Sequence, residues 1–165
     1  MARRLTGRMS VAAVALAAMA LGGAVAWGAD EPANVAKYRQ NFMKANGAHL
    51  GMISAIVKGE VSMTDELVPN AKALAEQGKL AAANLQLLFP EGTGKGAAGV
   101  ETAALPAIWE QWGQFEEAAQ RFEEESAKFA EVAQGGDMTA IAQALGQLGQ
   151  RGCGGCHEDF REKKN

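Results

Sequence analysis

The sequence predicts an all-α protein, an antiparallel four-helix bundle, and three observations carry that expectation. Apolar residues recur at three- and four-residue steps along four long stretches. No stretch shows the β-branched alternation of a strand. Between the stretches fall short breaks and one longer, glycine-rich connection, which is the spacing of sequential antiparallel helices.

The first helix is expected from Ala33 to Val57, with Val35, Tyr38, Phe42, Leu50, Ile53 and Val57 as its apolar positions. After a break at Lys58 to Met63, Thr64 is placed to cap the second helix, with Asp65 and Glu66 set against the helix dipole. That helix carries Leu67, Ala71, Leu74, Gly78, Ala81, Leu85 and Leu88, alternating steps of four and three as a bundle seam does. Pro69 belongs in its first turn or marks a kink. Pro90 to Leu105, with Gly92, Gly94, Gly96 and Gly99, has no period and reads as a surface loop. Pro106 suits the first turn of the third helix, whose seam runs Ile108, Trp112, Phe115, Ala119, Phe122, Ser126 and Phe129. Gly135 and Gly136 end that helix, and Asp137 caps the fourth, which holds Ile141, Leu145, Leu148, Gly152, Cys156 and Phe160.

Near the end of the fourth helix stands Cys153-Gly154-Gly155-Cys156-His157, the C-x-x-C-H sequence of covalent c-type haem attachment. Each thiol can add across one haem vinyl group, and the adjacent histidine offers a ring nitrogen to iron. On an α-helix, residues three and four apart share a face, so Cys153, Cys156 and His157 are expected to project together. A structural disulfide or a thioredoxin-like redox pair is the competing reading of two cysteines. A redox pair needs no histidine after the second cysteine and usually follows a strand, and neither condition is met. The expected cofactor is one haem c per chain. With both cysteines so committed, no disulfide supports the fold, and the haem is expected to serve as staple and core.

Residues 1–29 read as a cleaved secretory signal peptide. Arg3, Arg4 and Arg8 form a basic start, Val11 to Val25 is apolar, and small residues follow at Ala24-Val25-Ala26, with cleavage expected between 26 and 29. Residues 30–165 then form a single haem domain in the periplasm, with no stable membrane insertion after processing. Loss of three basic residues moves the formal net charge from -3 to -6. An acidic protein is a poor partner for nucleic acid or anionic membranes and suits a basic redox partner.

A C-x-x-C-H at the end of a four-helix chain resembles the cytochrome c′ family. The resemblance is carried by Lys37-Tyr38-Arg39-Gln40, Phe89-Pro90-Glu91-Gly92-Thr93-Gly94, Pro106-Ala107-Ile108-Trp109, and Cys153 to His157 with Phe160-Arg161. It implies that Met43 faces the haem side opposite His157, and that Arg39 and Gln40 lie near the haem propionates. In the family this position either ligates iron through a methionine or only packs. The segment Phe42 to Gly47 resembles the methionine-ligated branch, and a thioether is a soft donor that favours reduced iron. It also implies a homodimer through the first two helices, whose small residues Ala45, Gly47, Gly51 and Ala55 can instead serve close packing within the chain. His49 is expected on a solvent-facing helix side, and the acidic run Glu116-Glu117 and Glu123-Glu124-Glu125 on a solvated face.

The reading is therefore an electron carrier, not an enzyme, with iron held by His157 and Met43. Its alternative is a five-coordinate, high-spin protein that binds nitric oxide or carbon monoxide. A weak peroxidase is the least supported, because the usual distal His and Arg are not found together.

Overall fold

Helix-favouring Ala, Leu, Gln, Glu and Lys dominate the chain, and helices form where the apolar spacing places them. The computed structural model describes residues 30–163, so the expected leader lies outside the described residues. Helix α1 spans Pro32–Val57, α2 Leu67–Ala83, α3 Leu85–Leu88, α4 Ala107–Glu110, α5 Trp112–Gln134, α6 Met138–Gln147 and α7 Gly155–Phe160. Four rods result: α1, α2 with α3, α4 with α5, and α6 through α7. They pack as a four-helix bundle in which α2 against α5 is the most extensive contact.

Local details depart from expectation in instructive ways. Thr64 is not a side-chain cap; it opens a 3-10 turn, Thr64–Glu66, that leads into α2 without a capping hydrogen bond. Asp137 caps α6 as expected, its Oδ1 accepting from the backbone N–H groups of Thr139 at 2.8 Å and Ala140 at 3.3 Å. The fourth rod is not one α-helix. Between α6 and α7 the chain widens into a π-helical turn, Leu148–Gly154. A Cβ on Gly154 would stand 3.2 Å from the Gly149 carbonyl oxygen, so glycine suits this wider turn.

The core has two halves. At one end Ile53, Ile56, Leu67, Leu74, Phe129, Ile141 and Leu148 are buried together. At the other, Leu85, Leu88, Phe89, Ile108, Phe115, Ala118, Ala119 and Phe160 form a second cluster, with Phe42, Met43, Trp112 and Cys156 packed against it. Small residues mark the join. Gly78 and Ser126 are buried where α2 meets α5, and a Cβ on Gly152 would lie 2.9 Å from Leu148 Cδ1 and 3.5 Å from Glu125 Cβ.

The expected surface loop is pinned at both edges. Thr93, Gly94 and Ala104 are buried within it. Ala104 makes an isolated antiparallel bridge with Arg161, with Leu105 N donating to Phe160 O at 3.0 Å and Glu162 N to Ala103 O at 2.8 Å.

A candidate haem site between the first and last helices

The second core cluster brings together Met43, Cys156 and, over the Phe89 ring, Arg39. Phe115 stands at its centre, edge-on to Phe89 at 4.7 Å and to Phe160 at 5.1 Å, with Trp112 tilted at 5.7 Å. These separations lie in the favourable range for aromatic pairs. Met43 of α1 and Cys156 of α7 both pack against this cluster. The first and last helices thus bring their candidate residues to one aromatic floor.

Cys153 lies in the π-helical turn and Cys156 in α7, so the simple α-helical projection expected for the motif does not hold across it. Both thiols are half-buried and unpaired, and the disulfide alternative is not formed. Burial raises both thiol pKa values. Cys156 reaches about 11, pushed first by burial and then by the neighbouring Cys153 and Asp159, with Arg121 opposing. His157 is exposed and borders an open cavity of about 650 Å³ lined also by Gln150, Gly154 and Arg161. Its Nδ1 lies 3.3 Å from Arg161 Nη1. A guanidinium only donates, so Nδ1 accepts here, leaving Nε2 as the other ring nitrogen. Desolvation, followed by the Arg161 charge, lowers the His157 pKa.

Arg39 is 3% exposed and lies with its Cζ 4.6 Å above the Phe89 ring. Its Nη1 donates to Leu88 O at 3.0 Å and Thr93 Oγ1 at 2.9 Å, and its Nη2 to Thr93 O at 2.7 Å and Thr102 Oγ1 at 3.1 Å. All four acceptors are neutral. Burial lowers its pKa to about 10, which leaves it charged at pH 7. Gln40 donates through Nε2 to Glu101 O at 2.6 Å. Both side chains therefore hold the loop, a role the sequence reading did not assign.

Two further expectations change. His49 is half-buried, not solvent-facing, and its Nδ1 lies 2.8 Å from Asn70 Oδ1 across the α1–α2 contact. Glu125 is 5% exposed, not on a solvated face, and sits 3.5 Å from Lys128 Nζ and 3.6 Å from Arg151 Nε. It lies beside the side-chain-free Gly152, where a Cβ would stand 3.5 Å from its own Cβ.

A family model described as Cytochrome C′ matches residues 34–161. The chain belongs to the cytochrome c′ family. It is 35% identical over 132 residues to the cytochrome c′ of Pararhodospirillum photometricum, covering 79% of this chain and 98% of the relative. A solved nitric oxide complex of a cytochrome c prime variant from Alcaligenes xylosoxidans superposes with a TM-score of 0.67 at 28% identity, over 81% of this chain and 98% of that one. A cytochrome c′ with an unusual ligand-controlled dimer dissociation superposes with a TM-score of 0.72 at 26% identity, over 81% and 98%. As a member of the family the protein binds one covalent haem c per chain. Among the described residues no helix is long and apolar enough to cross a membrane.

Proposed function

We propose that Cys153 and Cys156 hold the haem through two thioethers, that a ring nitrogen of His157 binds the iron, and that the opposite face takes up nitric oxide or carbon monoxide. The donor set supports the attachment: two thiols and an imidazole in the motif, one thiol resting on an aromatic floor that could stack on a macrocycle. Arg39 adds to the fit. It is a buried cation with no carboxylate partner among the described residues, so an anionic haem edge would complete its charge. When bound, the haem supplies iron that can be ferric or ferrous and can accept a diatomic ligand.

The observation that carries gas binding over electron transfer is the makeup of the cluster that receives Cys156. Its neighbours are hydrocarbon, aromatic rings and the Met43 thioether, and His49 is engaged with Asn70. The side chains of the cluster itself are uncharged, the cation beside it being Arg39 over the Phe89 ring, and no second imidazole competes for iron. The nitric oxide complex of the Alcaligenes relative points the same way. The electron-carrier reading keeps one specific support: Met43 packs in the same cluster as Cys156, and its thioether could bind iron.

Spin state separates the two. A high-spin ferric spectrum with uptake of carbon monoxide by the ferrous protein is the expected result. A low-spin ferric spectrum with a near-infrared sulfur-to-iron band would assign Met43 as a ligand and restore the carrier. The same proposal places the protein in the periplasm as a binding protein, not an enzyme, after removal of residues 1–29.

Association as a homodimer is part of this reading. Tyr38, Ala45 and Met52 stand at seven-residue steps on α1, and Leu80 and Leu87 at the same step on α2 and α3. Tyr38, Met52, Leu80 and Leu87 are exposed, with Leu87 at 74%. Close packing within the chain does not use Gly47 or Gly51, because a Cβ on either would meet nothing within 4 Å.

A further inference from the structure

Residues 101–105 form a strap that touches the first helix on one edge and the last helix on the other. On the α1 edge, Gln40 donates to Glu101 O and Arg39 Nη2 to Thr102 Oγ1. Thr102 Oγ1 also accepts from Ala104 N at 3.2 Å, turning the strap toward the chain end. On the far edge, Ala104 bridges Arg161, flanked by the backbone bonds of Ala103 to Glu162 and Leu105 to Phe160. Lys95 reinforces this edge, its N–H bonding Ala104 O at 2.7 Å and its Nζ pairing with Glu162. The guanidinium of Arg161 then rests beside His157 Nδ1.

We propose that Thr102 is a positioning residue, which ties Arg39 of α1 through the strap to the backbone of Arg161 and so fixes the Arg161 charge beside His157. The inference rests on the reading of His157 as the iron ligand. A positive charge at Nδ1 withdraws electron density from the imidazole and opposes positive charge on the ring, making it a weaker donor. An arginine side chain is long and flexible, so its average distance from the ring depends on where its backbone is held. Among the described residues Thr102 is the one side chain that bonds both the α1 guanidinium and the strap backbone, and its hydroxyl can do so because it offers two lone pairs. Valine has the same shape and accepts nothing.

The test uses the haem-loaded protein and reads the iron–histidine stretch of the ferrous form by resonance Raman, with the midpoint potential as a second readout. Arg161→Ala should move the stretch to higher frequency and lower the potential, because a charge beside the ring is gone. Thr102→Val should shift both in the same direction by less, and Thr102→Ser should restore wild-type values. In the double variant the shift should equal that of Arg161→Ala alone, since Thr102 acts only through Arg161. Should Thr102→Val not fold, Gln40→Leu, which frees the neighbouring strap carbonyl, should give the same partial shift. Wild-type values in Thr102→Val beside a shifted Arg161→Ala, or additive shifts in the double variant, would overturn the inference. If His157→Ala keeps the wild-type stretch, the ligand assignment itself fails instead.

Discussion

Gly78 of α2 and Ser126 of α5 meet so closely that a Cβ on Gly78 would fall well inside the van der Waals contact distance of Ser126 Oγ and 3.0 Å from Glu123 Cα. The glycine is thus what lets the most extensively paired helices of the bundle approach.

Gly78→Ala should therefore destabilise the protein by about 2 kcal/mol, despite alanine's higher helix propensity, because overpacking outweighs that gain. Ser126→Gly should recover part of the loss, since the Glu123 backbone remains in the way. Denaturant unfolding of Gly78→Ala with and without Ser126→Gly measures this, and a stabilised Gly78→Ala would contradict the close approach.

Arg39→Leu removes four hydrogen bonds at once and leaves Leu88 O, Thr93 O and two hydroxyls to find other partners. The expected cost is about 3 kcal/mol or more, with Arg39→Lys recovering little because an ammonium cannot span all four acceptors. Thermal melting and protease cleavage within residues 95–102 should both report the freed loop.

Burial of the free Cys156 thiol makes the haem-free fold less stable in alkali. The thiol's folded-state pKa is raised from 9.0 to about 11. In haem-free protein, where the thiol is free, a raised pKa means that this group favours the fold below pH 9 and loses that contribution as pH climbs toward 11. In haem-free protein, alkylation of Cys156 at pH 8 should accordingly run about 100-fold slower when folded than in denaturant, following the thiolate fraction. Equal rates would place the thiol in solvent.

Haem attachment gives a chemical prediction. Acid–acetone treatment should leave the haem on the polypeptide, and Cys156→Ala should retain at most one thioether. Clean extraction of haem from the wild-type protein would remove the attachment proposal.

Sedimentation at micromolar concentration should show a dimer. Met52→Glu combined with Leu80→Glu should convert it to monomer by placing charges on the exposed seven-residue rows of α1 and α2. A wild-type sample that is already monomeric ends the dimer reading.

The sequence by itself determined the helical class, the four rods, the Asp137 cap and the haem-attachment motif, because each depends on spacing or chemistry local to a few residues. Even the Gly78 and Ser126 seam positions were readable from their steps of four and three. The steps of four from Leu148 through Gly152 and Cys156 to Phe160 were a missed sign of the wider π-helical turn, since an α-helical stripe drifts at that spacing. Only the tertiary structure decided that Arg39 and Gln40 hold residues 93–102, that Glu125 is buried against Arg151, and that His49 turns to Asn70. These groups are polar, and a polar residue inside a bundle is indistinguishable in sequence from one on its surface. Partners far along the chain settle its place, as Thr93 and Thr102 do for Arg39, because burial is tolerated only where hydrogen bonds replace those to water.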